Sequence, residues 1–295
     1  VPQTAHYNAA SVSFSIAIAK AKYNVSGITF TDAQFTYDGN QKTVVIAGTL
    51  PSGLAVEYEN NKQIVVGEYM ATAKFIGDEV NYEMVANKLA RLVIIKAYYN
   101  VSGLTFEDKT VDYNGQVQKI LVNGILPNGL TVEYVNNDNE NAGTYVIAAR
   151  FNGDYDNYHQ VEEMQATLNI NKLTYDMSGV QFVNQTKTYN KQSQSAQITG
   201  TLPVGIDGIP VTVSYAGNIT NVGNREITAM FNSTSVNYIL PVSELTATLT
   251  IAPAVLIVEP ADVYTVSAPH VNRPINLVRD EHYTIRGLFT GDNVT

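Results

Sequence analysis

The sequence predicts an all-β protein made of tandem small Ig-like β-sandwich domains arranged as an elongated rod. Three observations carry that reading: a repeat of about 76 residues, short apolar runs with the period of strands, and turn formers at fixed places between them. Gly27, Gly103 and Gly179 mark the repeat, as do Tyr37, Tyr113 and Tyr189, Gly48, Gly124 and Gly200, and Lys20, Lys96 and Lys172. Three complete repeats follow, residues 21–96, 97–172 and 173–253. Residues 1–20 read as the C-terminal strand of a preceding incomplete repeat, and 254–295 as the start of a further incomplete one.

Each unit opens on a phrase such as Tyr23-Asn-Val-Ser-Gly-Ile-Thr-Phe30, repeated at Tyr99–Phe106 and, more loosely, at Tyr175–Phe182. Asp38-Gly39 and Asn114-Gly115 then suit two-residue hairpins. Val44–Ala47 is a short β-branched run. Gly48-Thr-Leu-Pro-Ser-Gly53, matched at Gly124–Gly129 and Gly200–Gly205, suits a reverse turn in which the last glycine takes a positive φ. Leu54–Tyr58, Tyr69–Phe75 and Leu89–Ile95 complete the strands, and no stretch offers eleven residues of helical spacing. Six or seven strands in about 76 residues make two small sheets packed face to face. In the third unit Ile206-Asp-Gly-Ile-Pro210 lengthens a loop, the kind of change a surface tolerates.

So small a domain, with no cysteine, must hold itself together with aromatics. Fourteen of the 19 tyrosines occupy recurring positions, which assigns them to the fold; Arg225 replaces the third copy of Tyr69 and Tyr145. Tyr7, Tyr98, Tyr155, Tyr264 and Tyr283 stand outside the pattern and are candidates for an exposed contact patch.

Composition narrows the function. The 295 residues are 45% hydrophobic and 15% charged, which speaks against disorder and coiled coils. A net charge of −9 leaves no basic footprint for nucleic acid. The lack of cysteine removes thiolate metal sites and thiol catalysis, and no apolar run is long enough to insert in a membrane as a helix. His6, His159, His270 and His282 share no repeat position and sit in no metal or catalytic phrase. No nucleophile elbow, phosphate loop or dinucleotide fingerprint occurs, so no catalytic or cofactor-binding residue is assigned.

The phrases Gly-x-Leu-Pro-x-Gly, Val-Glu-Tyr, Gly-x-Tyr, Phe-x-Gly-Asp and Asn-Tyr, with a final strand ending in Ile-x-Lys-Ala, resemble the extracellular repeats labelled MBG. These are Ig-like modules found in tandem, mostly in bacterial secreted and cell-wall-attached proteins. The resemblance spans roughly residues 21–253, and Tyr283–Asp292 also resembles a phrase of related modules. It implies stalks, adhesins and matrix proteins, extracellular and surface attached, with no catalytic residues. Arg225, the longer third unit, and Pro253 in place of the junction lysines depart from the pattern.

Calcium is the one metal the residues suggest, through the acidic turns Asp154 and Asp156, Asp78 and Glu79, and Asp138 and Glu140. The third unit has Asn232-Ser-Thr-Ser235 at the first of these places, so the turns read as solvated loops with at most a single weak site. Asn-x-Ser/Thr triplets at Asn24, Asn100, Asn184, Asn218 and Asn232 fit an extracellular surface. Lys20, Lys96 and Lys172 sit where one domain hands over to the next and read as snorkelling interdomain side chains rather than isopeptide staples. The expected partners are neighbouring domains of the same longer protein, with self-assembly and a host protein or glycan as alternatives. Val12–Ala19 matches the closing strand Leu89–Ile95, and a strand with one apolar face requires a sheet to accept it. Two explanations stand: a segment of a longer array, or a subunit whose N-terminal strand completes the C-terminal half-domain of the next copy in a head-to-tail fibre.

Overall fold

In the computed structural model, residues 10–261 and 277–292 are described. None of them is helical, and the chain is all-β throughout its repeats. Repeat 1 contributes β1 (Ala33–Thr36), β2 (Ala55–Glu59), β3 (Gly67–Ile76) and β4 (Lys88–Ile95). Repeat 2 contributes β5 (Lys109–Asp112), β6 (Thr131–Val135), β7 (Gly143–Asn152) and β8 (Met164–Asn171). Repeat 3 opens with β9 (Leu173–Thr174) and continues with β10 (Gln185–Thr188), β11 (Thr212–Ala216), β12 (Gly223–Asn232), β13 (Tyr238–Ile239) and β14 (Glu244–Ala252). A last pair follows, β15 (Ile257–Pro260) and β16 (Tyr283–Arg286), joined antiparallel.

The same four-stranded sheet appears three times, in the orders β1-β4-β3-β2, β5-β8-β7-β6 and β10-β14-β12-β11. Its first and last strands run parallel, Ala33 opposite Leu92 and Thr36 opposite Ile95, while the rest of the sheet is antiparallel. The closing strand is therefore central. Its alternate residues Ala90, Leu92 and Ile94 are buried, as are Ala166, Leu168 and Ile170, and Ala247, Leu249 and Ile251. These apolar residues fall at every second position, and the period of two puts all three on one face of the strand.

The facing layer is built more sparingly than expected. Val44–Ala47 forms no strand; it is tied by one bridge, Ala47 to Thr29, and by side chains. The Asn61 Nδ2 and Oδ1 clasp the Val44 carbonyl and amide, and the Tyr58 hydroxyl accepts from the Ile46 amide at 2.9 Å. Asn137 and Tyr134 treat Ile120 and Val122 alike. A buried backbone needs its hydrogen bonds, and here side chains supply what a neighbouring strand would. Nor do Asp38-Gly39 and Asn114-Gly115 form two-residue hairpins. β1 pairs in parallel with the distant β4, so these turns carry the chain across to the other layer, with Asp38 and Asn114 accepting from the amides two residues on. Two of the three Pro-x-Gly turns form: Leu54 and Leu130 donate back to Pro51 and Pro127, with Gly53 and Gly129 at φ near 80°; in the third the inserted loop intervenes, Gly205 does not take a positive φ, and the Pro203 carbonyl accepts from Val211 instead.

Packing divides the chain into two compact units: Val1–Phe106, Leu121–Val135 and Ala148–Gln165 in one, Glu107–Ile120, Asn136–Ile147 and Ala166–Thr295 in the other. The first unit contains a core of Phe30, Val44, Ala71, Ala73, Ala90, Leu92 and Ile94, a second of Ile28, Leu54 and Phe75, and a third of Tyr99, Leu104, Leu130 and Phe151. The second unit contains Tyr175, Val180, Val211, Ala229 and Phe231, and beside them Ala196, Ile227, Leu249 and Ile251.

Candidate functional site: the joints between repeats

The recurring tyrosines do structural work. Tyr23 stacks on Tyr82, Tyr99 on Tyr158 and Tyr175 on Tyr238, with ring centroids 4.2, 4.1 and 4.4 Å apart. The Tyr23 and Tyr99 hydroxyls accept from the amides of Asp78 and Asp154, each at 2.9 Å. Tyr69 and Tyr145 donate to Val65 and Asn141, and Arg225 at the third place is exposed.

The sites where repeats meet come from the Asn-Tyr phrase. In the first unit the Asp154 carboxylate accepts from the Asn157 amide and side chain at 3.3 and 2.9 Å. That fixes the side chain so that its Oδ1 accepts from the Val66 amide of repeat 1 at 2.9 Å. The next residue, Tyr158, meets the edge of Tyr37 with centroids 5.4 Å apart at 82°. Burial pushes the Tyr158 phenol up from its ordinary value, so it stays protonated in the joint. The chain is stitched alongside, with Ala97 donating to Asn157 and accepting from His159.

The second unit contains the same joint. Asn237 accepts from the Ala142 amide at 2.7 Å, and Tyr238 meets Tyr113 at 6.2 Å and 76°. Asn157 and Asn237 are only 8% and 3% exposed, an uncommon place for asparagine unless its bonds are filled, as they are here. Repeat 3 has no aspartate in the Asp154 position, and the inserted loop replaces it. Asp207 accepts from Ser235 Oγ at 2.5 Å and from Asn237 Nδ2 at 3.4 Å, while Ser235 Oγ accepts from the Asn237 amide at 3.0 Å. Burial raises the Asp207 carboxyl, but hydrogen bonds from Ser235, the Ile209 amide and Asn237 outweigh it and leave the pKa below its ordinary value. A variant of the joint also ties repeat 3 to the last pair: Tyr189 meets Phe289 edge-on at 5.7 Å, and Lys191 pairs with Asp292 at 2.7 Å.

The acidic turns serve this scaffold. Asp78 accepts from Val80 and Asn81, and the Asn81 side chain leads the contacts that hold its pKa low. Glu79 offers its carbonyl to Lys20, as Tyr155 does to Lys96. Asp138 pairs with Lys119. Among the described residues no three acidic or histidine side chains, Asp154 and Asp156 included, gather in one place. Of the tyrosines outside the pattern, Tyr98 is 76% exposed and stacks on His159 at 4.1 Å, and the two line an open cleft of about 510 Å³ together with residues such as Val66, Val93 and Ile95. Tyr155 is half-buried and bonds to Phe151, Tyr283 lies on β16, and Tyr7 and Tyr264 fall outside the described residues, as do His6 and His270.

No family model matches the chain, and no curated protein matches it. Among solved structures it is similar to Drosophila N-cadherin EC1-4 at 9% identity and a TM-score of 0.23, over 77% of this chain and 75% of that one. It is similar to human desmocollin-1 ectodomain at 8% and 0.23, over 80% and 62%, and to Clostridium thermocellum CbhA fibronectin(III)-like modules at 13% and 0.19, over 48% and 93%.

Proposed function

We propose that this chain is a non-enzymatic extracellular repeat segment of a bacterial surface protein, of the MBG type, whose modules space a functional tip from the surface. One observation carries the reading. The same asparagine-tyrosine joint occurs at both junctions between complete repeats, so consecutive modules are fixed to one another by specific hydrogen bonds as well as by the chain. Short connections such as Ile95-Lys-Ala97 leave little slack. Fixing orientation is the work of a spacer; catalysis would need converging acid, base or nucleophile groups, and the polar groups at the joints are spent on each other.

Light scattering combined with small-angle X-ray scattering over a concentration series tests it. The expected result is an elongated particle that holds near 32.2 kDa. A compact particle would overturn the spacer role, and a mass that climbs with concentration would favour the head-to-tail fibre instead.

A further inference from the structure

The joint has two halves, and repeat 1 has one half unfilled. In repeat 1 the Asp78 carboxylate accepts from the Asn81 amide and Nδ2 at 3.2 and 2.7 Å, as Asp154 does from Asn157. Tyr82 stacks on Tyr23 as Tyr158 stacks on Tyr99. The Asn81 Oδ1 is thus aimed like that of Asn157, yet Asn81 is exposed, and no donor to that oxygen occurs among the described residues. A corner assembled to this degree is the same surface that is covered at both internal junctions.

A second observation says what covers it. Ala21 donates to Asn81 and accepts from Glu83, the stitch that Ala97 makes with Asn157 and His159. The residues just before Ala21 therefore leave the corner as β4 leaves Ala97. They carry the closing-strand pattern: Phe14, Ile16 and Ile18 stand one repeat before Ala90, Leu92 and Ile94. Those three are at most 1% exposed, whereas Phe14, Ile16 and Ile18 are 80%, 76% and 91% exposed. In every complete repeat such a strand lies between a parallel first strand and a long antiparallel one.

We propose that the Asn81-Tyr82 corner is a socket for one further module of this repeat type, the module that residues 12–19 close. Its loop before the Gly-x-Tyr position donates an amide to Asn81 Oδ1, and its turn tyrosine meets Tyr82 edge-on. The proposal rests on reading the repeats as modules locked in series.

The test places a copy of residues 21–85 ahead of the chain from residue 10 to its end, which returns to residues 12–19 the sheet they are shaped for. Hydrogen exchange should show amides 12–18 passing from unprotected in the parent to protected like 88–95. With only the appended residues isotope-labelled for NMR, the appended copy of the Val66 amide should be protected. Asn81→Ala should speed its exchange by about five-fold, the worth of one net hydrogen bond, and leave 12–18 protected. Asn157→Ala, acting on the original Val66 amide, calibrates the effect. Amides 12–18 that stay unprotected would overturn the proposal, and so would an appended Val66 amide indifferent to Asn81→Ala. A compact particle in the scattering experiment would sink the spacer role while leaving this joint standing, so the two fail separately.

Discussion

At the scale of single residues, the polar side chains that stand in for backbone decide stability. Asn61 satisfies both the amide and the carbonyl of Val44, and all of these groups are buried. Asn61→Ala strands two backbone groups, and urea unfolding should show a loss of ~1–3 kcal/mol per orphaned group. The Asp207 carboxyl behaves differently because its charge is at stake. Its folded pKa lies below the ordinary 3.8, so its contribution is present above that value and is lost as pH falls through the folded one. Thermal unfolding followed downward from about pH 6 should show the parent losing its advantage over Asp207→Asn below about pH 4. The tyrosine pattern was legible in sequence because each ring recurs with the repeat. The role of Asn61 and Asn137 was not, although they too recur, since an asparagine in a polar stretch reads as a turn former until its neighbours in space are known. Asp207 was invisible for a further reason: it substitutes for Asp154 from a different loop.

Among the elements, the long strands were readable and the connections were not. Tyr69–Phe75 and Leu89–Ile95 are long, mostly apolar runs and lie within β3 and β4. Val44–Ala47 has the same composition but no neighbouring strand, and composition alone cannot say which runs find partners. The Asp38-Gly39 turn misled because the hairpin rule assumes that consecutive strands pair, while β1 pairs with β4 across the whole module. Glycine was a better guide where backbones touch. Gly48 has φ +102°, and a Cβ there would press on the Gly27 carbonyl, whereas Gly39 has φ +76° and open space around it. Gly48→Ala should therefore cost ~1–3 kcal/mol beyond the ~1 kcal/mol expected of Gly39→Ala, measured by the same urea titration.

For the molecule as a whole, stability is the sum of what each module holds and what each joint adds, the nearest-neighbour logic of repeat proteins. The threefold recurrence of one sheet order could be seen from the repeat spacing; the joints could not, because half of each belongs to the neighbouring repeat. The parallel pairing of each module's first and closing strands carries a mechanical meaning as well. A pull on the two ends of a module draws β1 and β4 past each other along their length. Hydrogen bonds between parallel strands loaded this way are sheared together, from Ala33 opposite Leu92 to Thr36 opposite Ile95, instead of peeling apart one at a time. The strand order that puts the closing strand at the centre of the sheet thus sets each repeat to resist tension along the chain.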